Sequence, residues 1–156
     1  MLAWEAGAAA HAIAKGDVDG DGDIDFLLGY AQPSTFAVPA GRQNLLLLND
    51  GSGRLTDATA NLPQVLDVTR GLALGDSDGD GDLDALVGNV GSEPTRLLLN
   101  DGSGAFSPSP TPLPVAVEDT AGVAFGDVDA NGDLDLLTAA GPSGGIRLLL
   151  NDGSGG

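Results

Sequence analysis

Apolar residues come in short runs along this chain, and glycine, aspartate or asparagine follows most of them. AHAIAKGD, RGLALGD and AGVAFGD lead into clusters of aspartate; IDFLLGY, LDALVGN and LDLLTAA lead out of them. A third set, NLLLL, TRLLL and IRLLL, runs each time into the same segment, NDGSG. These runs have the length of strands and turn residues at their ends, so they predict strands and not helices. The second and third sets are apolar almost without alternation, as in strands covered on both faces. NDGSG is built from Asn, Asp and Gly, which tolerate positive φ, and predicts a tight turn. A fourth, weaker set follows that turn as RLTDAT and AFSPS, and Pro-rich connections such as SPSPTPLP lead to the next unit.

The pattern repeats. LLLNDGSG occurs at residues 46–53, 97–104 and 148–155, a period of 51. The acidic cluster opens at Gly16, Gly75 and Gly126, spacings of 59 and 51, so the first unit carries eight extra residues. They fall within residues 30–44, where the later units have only NVGSEPT and AAGPSGG. Four-stranded units of this length, stacked face to face, are the blades of a β-propeller. The expected fold is all-β: three repeats of four antiparallel strands in one repeat domain, an incomplete propeller. The blades are placed at about 8–60, 66–110 and 117–156, the last without its fourth strand. Because successive strands run antiparallel, the acidic clusters and NDGSG turns share one end of each blade. The insertion lies on the opposite rim.

Composition changes this picture little but excludes several partners. The chain has 156 residues, 23 acidic and 6 basic, a formal net charge of −17. Nucleic acid needs clustered Lys and Arg, and an anionic membrane surface needs the same. High charge with few aromatics is also a mark of disorder, but here 42% of residues are hydrophobic and arrive in dense runs. No apolar run is long enough to insert into a membrane. There is no cysteine, so neither disulfides nor thiolate-bound zinc can form. The N-terminal MLAWEAGAAAHAIAK has no basic n-region and reads as no signal peptide.

The aspartate clusters carry the candidate chemistry. Counted from the first Asp, positions 1, 3, 5 and 9 are Asp17, Asp19, Asp21 and Asp25; then Asp76, Asp78, Asp80 and Asp84; then Asp127, Asp129, Asn131 and Asp135. Position 6 is Gly22, Gly81 or Gly132, and position 7 (Asp23, Asp82, Asp133) offers a backbone carbonyl. Carboxylates about 5 Å apart repel by roughly 3 kcal/mol at an effective dielectric near 20, so such a loop calls for a cation. Six to eight hard oxygens around a tight glycine turn suit Ca²⁺ better than Mg²⁺, which demands near-ideal octahedral geometry. The bland alternative, a polar hairpin turn, needs only one or two such residues and does not account for the spacing three times over. The three loops hold 14 of the 23 acidic residues, and three Ca²⁺ would bring −17 to −11. The first six positions also match an EF-hand, but its position-12 glutamate is here Leu28, Val87 or Thr138. A nonapeptide calcium roll does not fit the period.

GDVDGDGDIDFLLG followed by LLLLNDGSG resembles the FG-GAP/VCBS repeat of integrin α-chain propellers and many bacterial extracellular proteins, and Phe125-Gly126 matches the FG of the name. The GAP element is degenerate, as Gly29-Tyr30-Ala31, Gly88-Asn89-Val90 and a shifted Ala140-Gly141-Pro142. The resemblance implies Ca²⁺ held by positions 1, 3, 5 and 9 plus the position-7 carbonyl, with ligands taken up on the other rim. Tyr30, Phe36 and Arg42 are the residues of that rim here.

Three blades do not close a ring, so two expectations stand side by side: a piece of a longer chain, or copies that associate into a ring or filament. The functional reading is a calcium-stabilised extracellular binding or scaffold module without catalysis, with itself, a protein or a glycan as partner. The alternatives are a lectin, or part of a polysaccharide lyase or hydrolase. For the latter the inventory is thin: His11 and Lys15 are the single His and Lys, and neither residue type recurs at the matching positions Arg70/Ala121 and Leu74/Phe125. Asp57, Asp67, Glu93, Glu118 and Asp119 are spare carboxylates with no spacing that singles them out.

Overall fold

The structure, a computed structural model, describes residues 9–31, 41–91, 93–114, 119–141 and 144–152. Strands β1 (Ala9–Gly16), β2 (Asp25–Ala31), β3 (Leu45–Asn49) and β4 (Leu55–Asp57) pair in chain order as the first blade. Strands β5 (Thr69–Gly75), β6 (Asp84–Asn89), β7 (Arg96–Asn100) and β8 (Phe106–Pro108) repeat the arrangement. Strands β9 (Thr120–Gly126), β10 (Asp135–Ala140) and β11 (Ile146–Leu149) form a three-stranded sheet. Every pairing between these strands is antiparallel. All-β blades with an incomplete third sheet are what the run pattern predicts.

The fourth strand is shorter than RLTDAT suggests. Asp57 ends it by accepting the Thr59 backbone N–H at 2.9 Å, and residues Thr59–Asn61 turn as a 3₁₀ helix. An aspartate that bonds the amide two residues on offers the backbone an alternative to the ladder.

The blades meet face to face. Val18, Leu27, Leu46 and Leu62 of the first pack with Ala85, Val87, Leu98 and Phe106 of the second in one buried cluster. Each fully buried side chain of this size is worth about 1.5–3 kcal/mol. Glycine at the end of the first strand lets the next blade approach: a Cβ on Gly16 would lie 2.5 Å from Leu83, and one on Gly75 would lie 2.8 Å from Phe125. Between the second and third blades the same positions line a cavity of about 240 Å³, with Ser77, Leu97, Leu113, Leu136 and Leu149 in the places of Val18, Leu46, Leu62, Ala85 and Leu98. Phe106, which fills the first interface, has no counterpart among the described residues.

Candidate metal centres

Each acidic loop joins the first two strands of its blade, and its own carboxylates fold it. Asp17 accepts the backbone N–H of Gly20 on one oxygen and of Gly22 on the other, both at 2.9 Å. Asp19 accepts from Asp21 N–H at 3.3 Å, and Asp21 from Asp23 N–H at 2.9 Å. The second loop repeats this with Asp76, Asp78 and Asp80. The third does so with one change: Asp127 and Asp129 share Asn131 N–H, and Asn131 accepts from Asp133 N–H. The position-6 glycines stand at φ 93°, 98° and 99°, a region that L side chains avoid. Ala130 takes φ 61° where the other loops have glycine.

This wrapping brings one oxygen each of Asp17, Asp19 and Asp25 within 4.8 Å of one another, and the same holds for Asp76, Asp78 and Asp84 and for Asp127, Asp129 and Asp135. Positions 1, 3 and 9 therefore converge. Asp21 and Asp80 stand outside those groups, and the side chains of Asp21, Asp80 and Asn131 each accept the position-7 backbone N–H. The position-7 side chains do something the spacing did not suggest. A Cβ on Gly51 or Gly102 would run into the Asp23 or Asp82 carboxylate, so these aspartates lie over the NDGSG turn, whose first glycine is called for by its φ of 71° or 77°. The glycine matching Asp133 is Gly153, outside the described residues.

The position-9 aspartate is the buried member. Asp25 accepts Val18 N–H at 2.9 Å on one oxygen and Asn49 N–H at 2.8 Å on the other. Asp84 does the same with Ser77 and Asn100, both at 2.9 Å. Asp135 does so with Val128 and Asn151, both at 2.8 Å. Each clasps the acidic loop to the end of the third strand through the backbone N–H of the residue that begins NDGSG. The second residue of that turn folds the turn itself: Asp50 accepts the Ser52 hydroxyl at 2.6 Å and Asp101 the Ser103 hydroxyl at 2.7 Å. Those bonds hold both carboxyls below the usual aspartate range.

Charge crowding shows in the loops themselves. Burial, and then the charge of Asp25, pushes the Asp19 carboxyl up; burial, and then Asp84 and Asp80, does the same to Asp78. Asp135 is held down instead, chiefly by the amides of Asn151 and Val128. A cation placed among the three oxygens would relieve the crowding, and every donor is a hard oxygen, so the residues fit a hard metal ion. This sets a pH dependence for the ion-free protein. A carboxyl whose folded value is raised contributes stability that is complete below the unfolded value and lost as pH rises through the folded one. Metal binding, which needs the carboxylates ionised, runs the other way. The gain in melting temperature on adding a divalent cation is therefore expected to shrink as pH is lowered from 7 toward 4; an equal gain at both pH values contradicts it.

The opposite rim is assembled differently. Arg42 pairs its backbone N–H with the Asp67 carbonyl at 2.9 Å, tying the end of the insertion to the connection between blades. Buried Asp67 also takes the Arg96 guanidinium, with Nε at 2.7 Å. Tyr30 is half-buried, and burial raises its phenol against the opposing charge of Arg42. Phe36 and Glu118 lie outside the described residues. Of the other spare carboxylates, Asp119 accepts Gly91 N–H at 2.7 Å and Glu93 lies 3.9 Å from Arg96.

The FG-GAP-like repeat matches residues 17–87 and again 78–138, together well over half the chain. The chain belongs to this repeat family. Both matched stretches begin in an acidic loop, so family membership and the convergent triads rest on the same residues. No curated protein matches the chain.

Proposed function

We propose that this FG-GAP-like chain is a calcium-stabilised extracellular binding or scaffold module without catalysis of its own. The observation that carries the reading is the threefold recurrence of an oxygen triad at the joint between the first two strands of each blade. Calcium suits the site because its ligand number is flexible, whereas Mg²⁺ holds its waters and an octahedron. The ion's role is structural: it neutralises the loop and pins the joint. Extracellular calcium, about millimolar, fills even sites of the 10⁻⁴–10⁻³ M class, and repeats of this family are typical of extracellular proteins. Among the described residues no helix is long and apolar enough to cross a membrane.

A protein or glycan partner would meet the rim of Tyr30 and Arg42, away from the ions. The contacts of Asp57, Asp67 and Asp119 favour structural roles for these carboxylates over acid–base ones. Titration of ion-free protein, followed by its thermal melt, tests the reading. Calcium should raise the melting temperature at concentrations where magnesium does little; magnesium acting equally well at the same concentration would overturn the assignment.

A further inference from the structure

The two blade interfaces inside the chain share three contacts, and the outer faces of the first and last blades carry matching halves of each. The first contact is an asparagine clasp. Asn100 Nδ2 donates to the Val18 carbonyl of the preceding blade at 2.8 Å, and Asn151 Nδ2 donates to the Ser77 carbonyl at 2.7 Å. For the first-blade equivalent, Asn49, no such bond is seen among the described residues; its side-chain oxygen, like that of the clasped Asn100, is buried without a partner. The carbonyl that would receive it belongs to Val128, 58% exposed where its counterpart Val18 is 2% exposed.

The second contact is a size match. A Cβ on Gly29 would lie 2.5 Å from the Thr69 methyl of the next blade, and one on Gly88 would lie 3.0 Å from the Thr120 methyl. At the ends both partners change together. The third blade has Ala139 in place of that glycine, and the first has Ala10 in place of that threonine, so the added methyl on one side is offset by its loss on the other.

The third contact is the seat over the strand-ending glycine. Leu83 covers Gly16, and Leu134 with Phe125 covers Gly75, but a Cβ on Gly126 would meet nothing. The residues in register to cover it are Ile24, 47% exposed, and Lys15. Lys15 is the chain's single lysine, and docking would set it beside the acidic loop that follows Gly126. Leu137 stands 39% exposed, whereas Leu86, in the same place of the second blade, is fully buried; Leu148 and Leu150 are exposed as well, but both also line the cavity toward the second blade.

We infer that a second copy of this chain is the partner of these faces: its first blade docks on the third blade of its neighbour, continuing the interface already used twice within the chain. Asn49 donates to the neighbour's Val128 carbonyl, Ala10 faces Ala139, and Ile24 and Lys15 cover Gly126. The association rests on folded blades and not on which ion holds the loops.

Sedimentation of the full chain in millimolar calcium tests this. The expected result is a species larger than the 15.4 kDa chain; a closed pair and an open series both support the docking. Ala10→Thr restores the methyl that Ala139 cannot accommodate, and should weaken association on the order of tenfold or more. Adding Ala139→Gly recreates the glycine–threonine match of the internal interfaces and should recover it. A folded wild type that stays monomeric, an Ala10→Thr variant that associates unchanged, or a double variant no better than the single one overturns the inference. Melts of the same samples with and without calcium report on the ion separately. If they do not shift while association persists, the calcium reading falls and this one stands.

Discussion

Stripping calcium from the folded protein is expected to lower its melting temperature by on the order of 10 °C. A ligand that binds only the folded state stabilises by RT ln(1 + [L]/Kd), so each site held at ten times its Kd contributes about 1.4 kcal/mol. Three such sites give about 4 kcal/mol, set against the 5–15 kcal/mol that a domain typically has in total. In physical terms, the triads that begin at Asp17, Asp76 and Asp127 each bring three carboxylate oxygens within 4.8 Å of one another. Removing the ion leaves that repulsion at the joint between the first two strands of every blade. Differential scanning calorimetry in calcium and in chelator reads the effect; coincident melts would show that the loops need no ion.

Replacing Asp84 by Asn is expected to destabilise the chain by about 3–4 kcal/mol even in chelator. The carboxylate is fully buried and accepts from Ser77, through backbone and hydroxyl, and from Asn100. An amide keeps one acceptor and turns an N–H₂ toward a donor. Buried donors left without acceptors, in the middle blade, weaken both of its interfaces. Asp76→Asn, at the more open position 1, is the control, with its loss showing mainly in calcium. Urea unfolding of both variants with and without calcium separates the roles. An Asp84→Asn variant as stable as wild type in chelator would mean that the clasp is not structural.

Much of this was legible in the sequence, because a repeat shows its own constraints. The strand order followed from apolar runs of similar length, and the acidic triads from the two-residue spacing of aspartate. What escaped reading were interactions between segments far apart in sequence. Nothing local marks Asp84 as a clasp to Asn100, or Asn151 as a bond to Ser77 in the blade before. The recurrence of Asn before DGSG was the available signal, and turn chemistry accounted for it too readily. The spacing assigns the position-7 aspartates a backbone carbonyl and says nothing of their side chains; that those of Asp23 and Asp82 cover Gly51 and Gly102 follows only from the fold. Asp67 looked like a spare acid, since its partner Arg96 stands in another strand of the sheet stack.

Counting calcium on the protein, by equilibrium dialysis and elemental analysis, tests the central claim most directly. Three ions per chain are expected, one for each triad, and two after Asp17 and Asp19 are both replaced by Asn. A chain that binds none, or that still holds three after losing a triad, contradicts it.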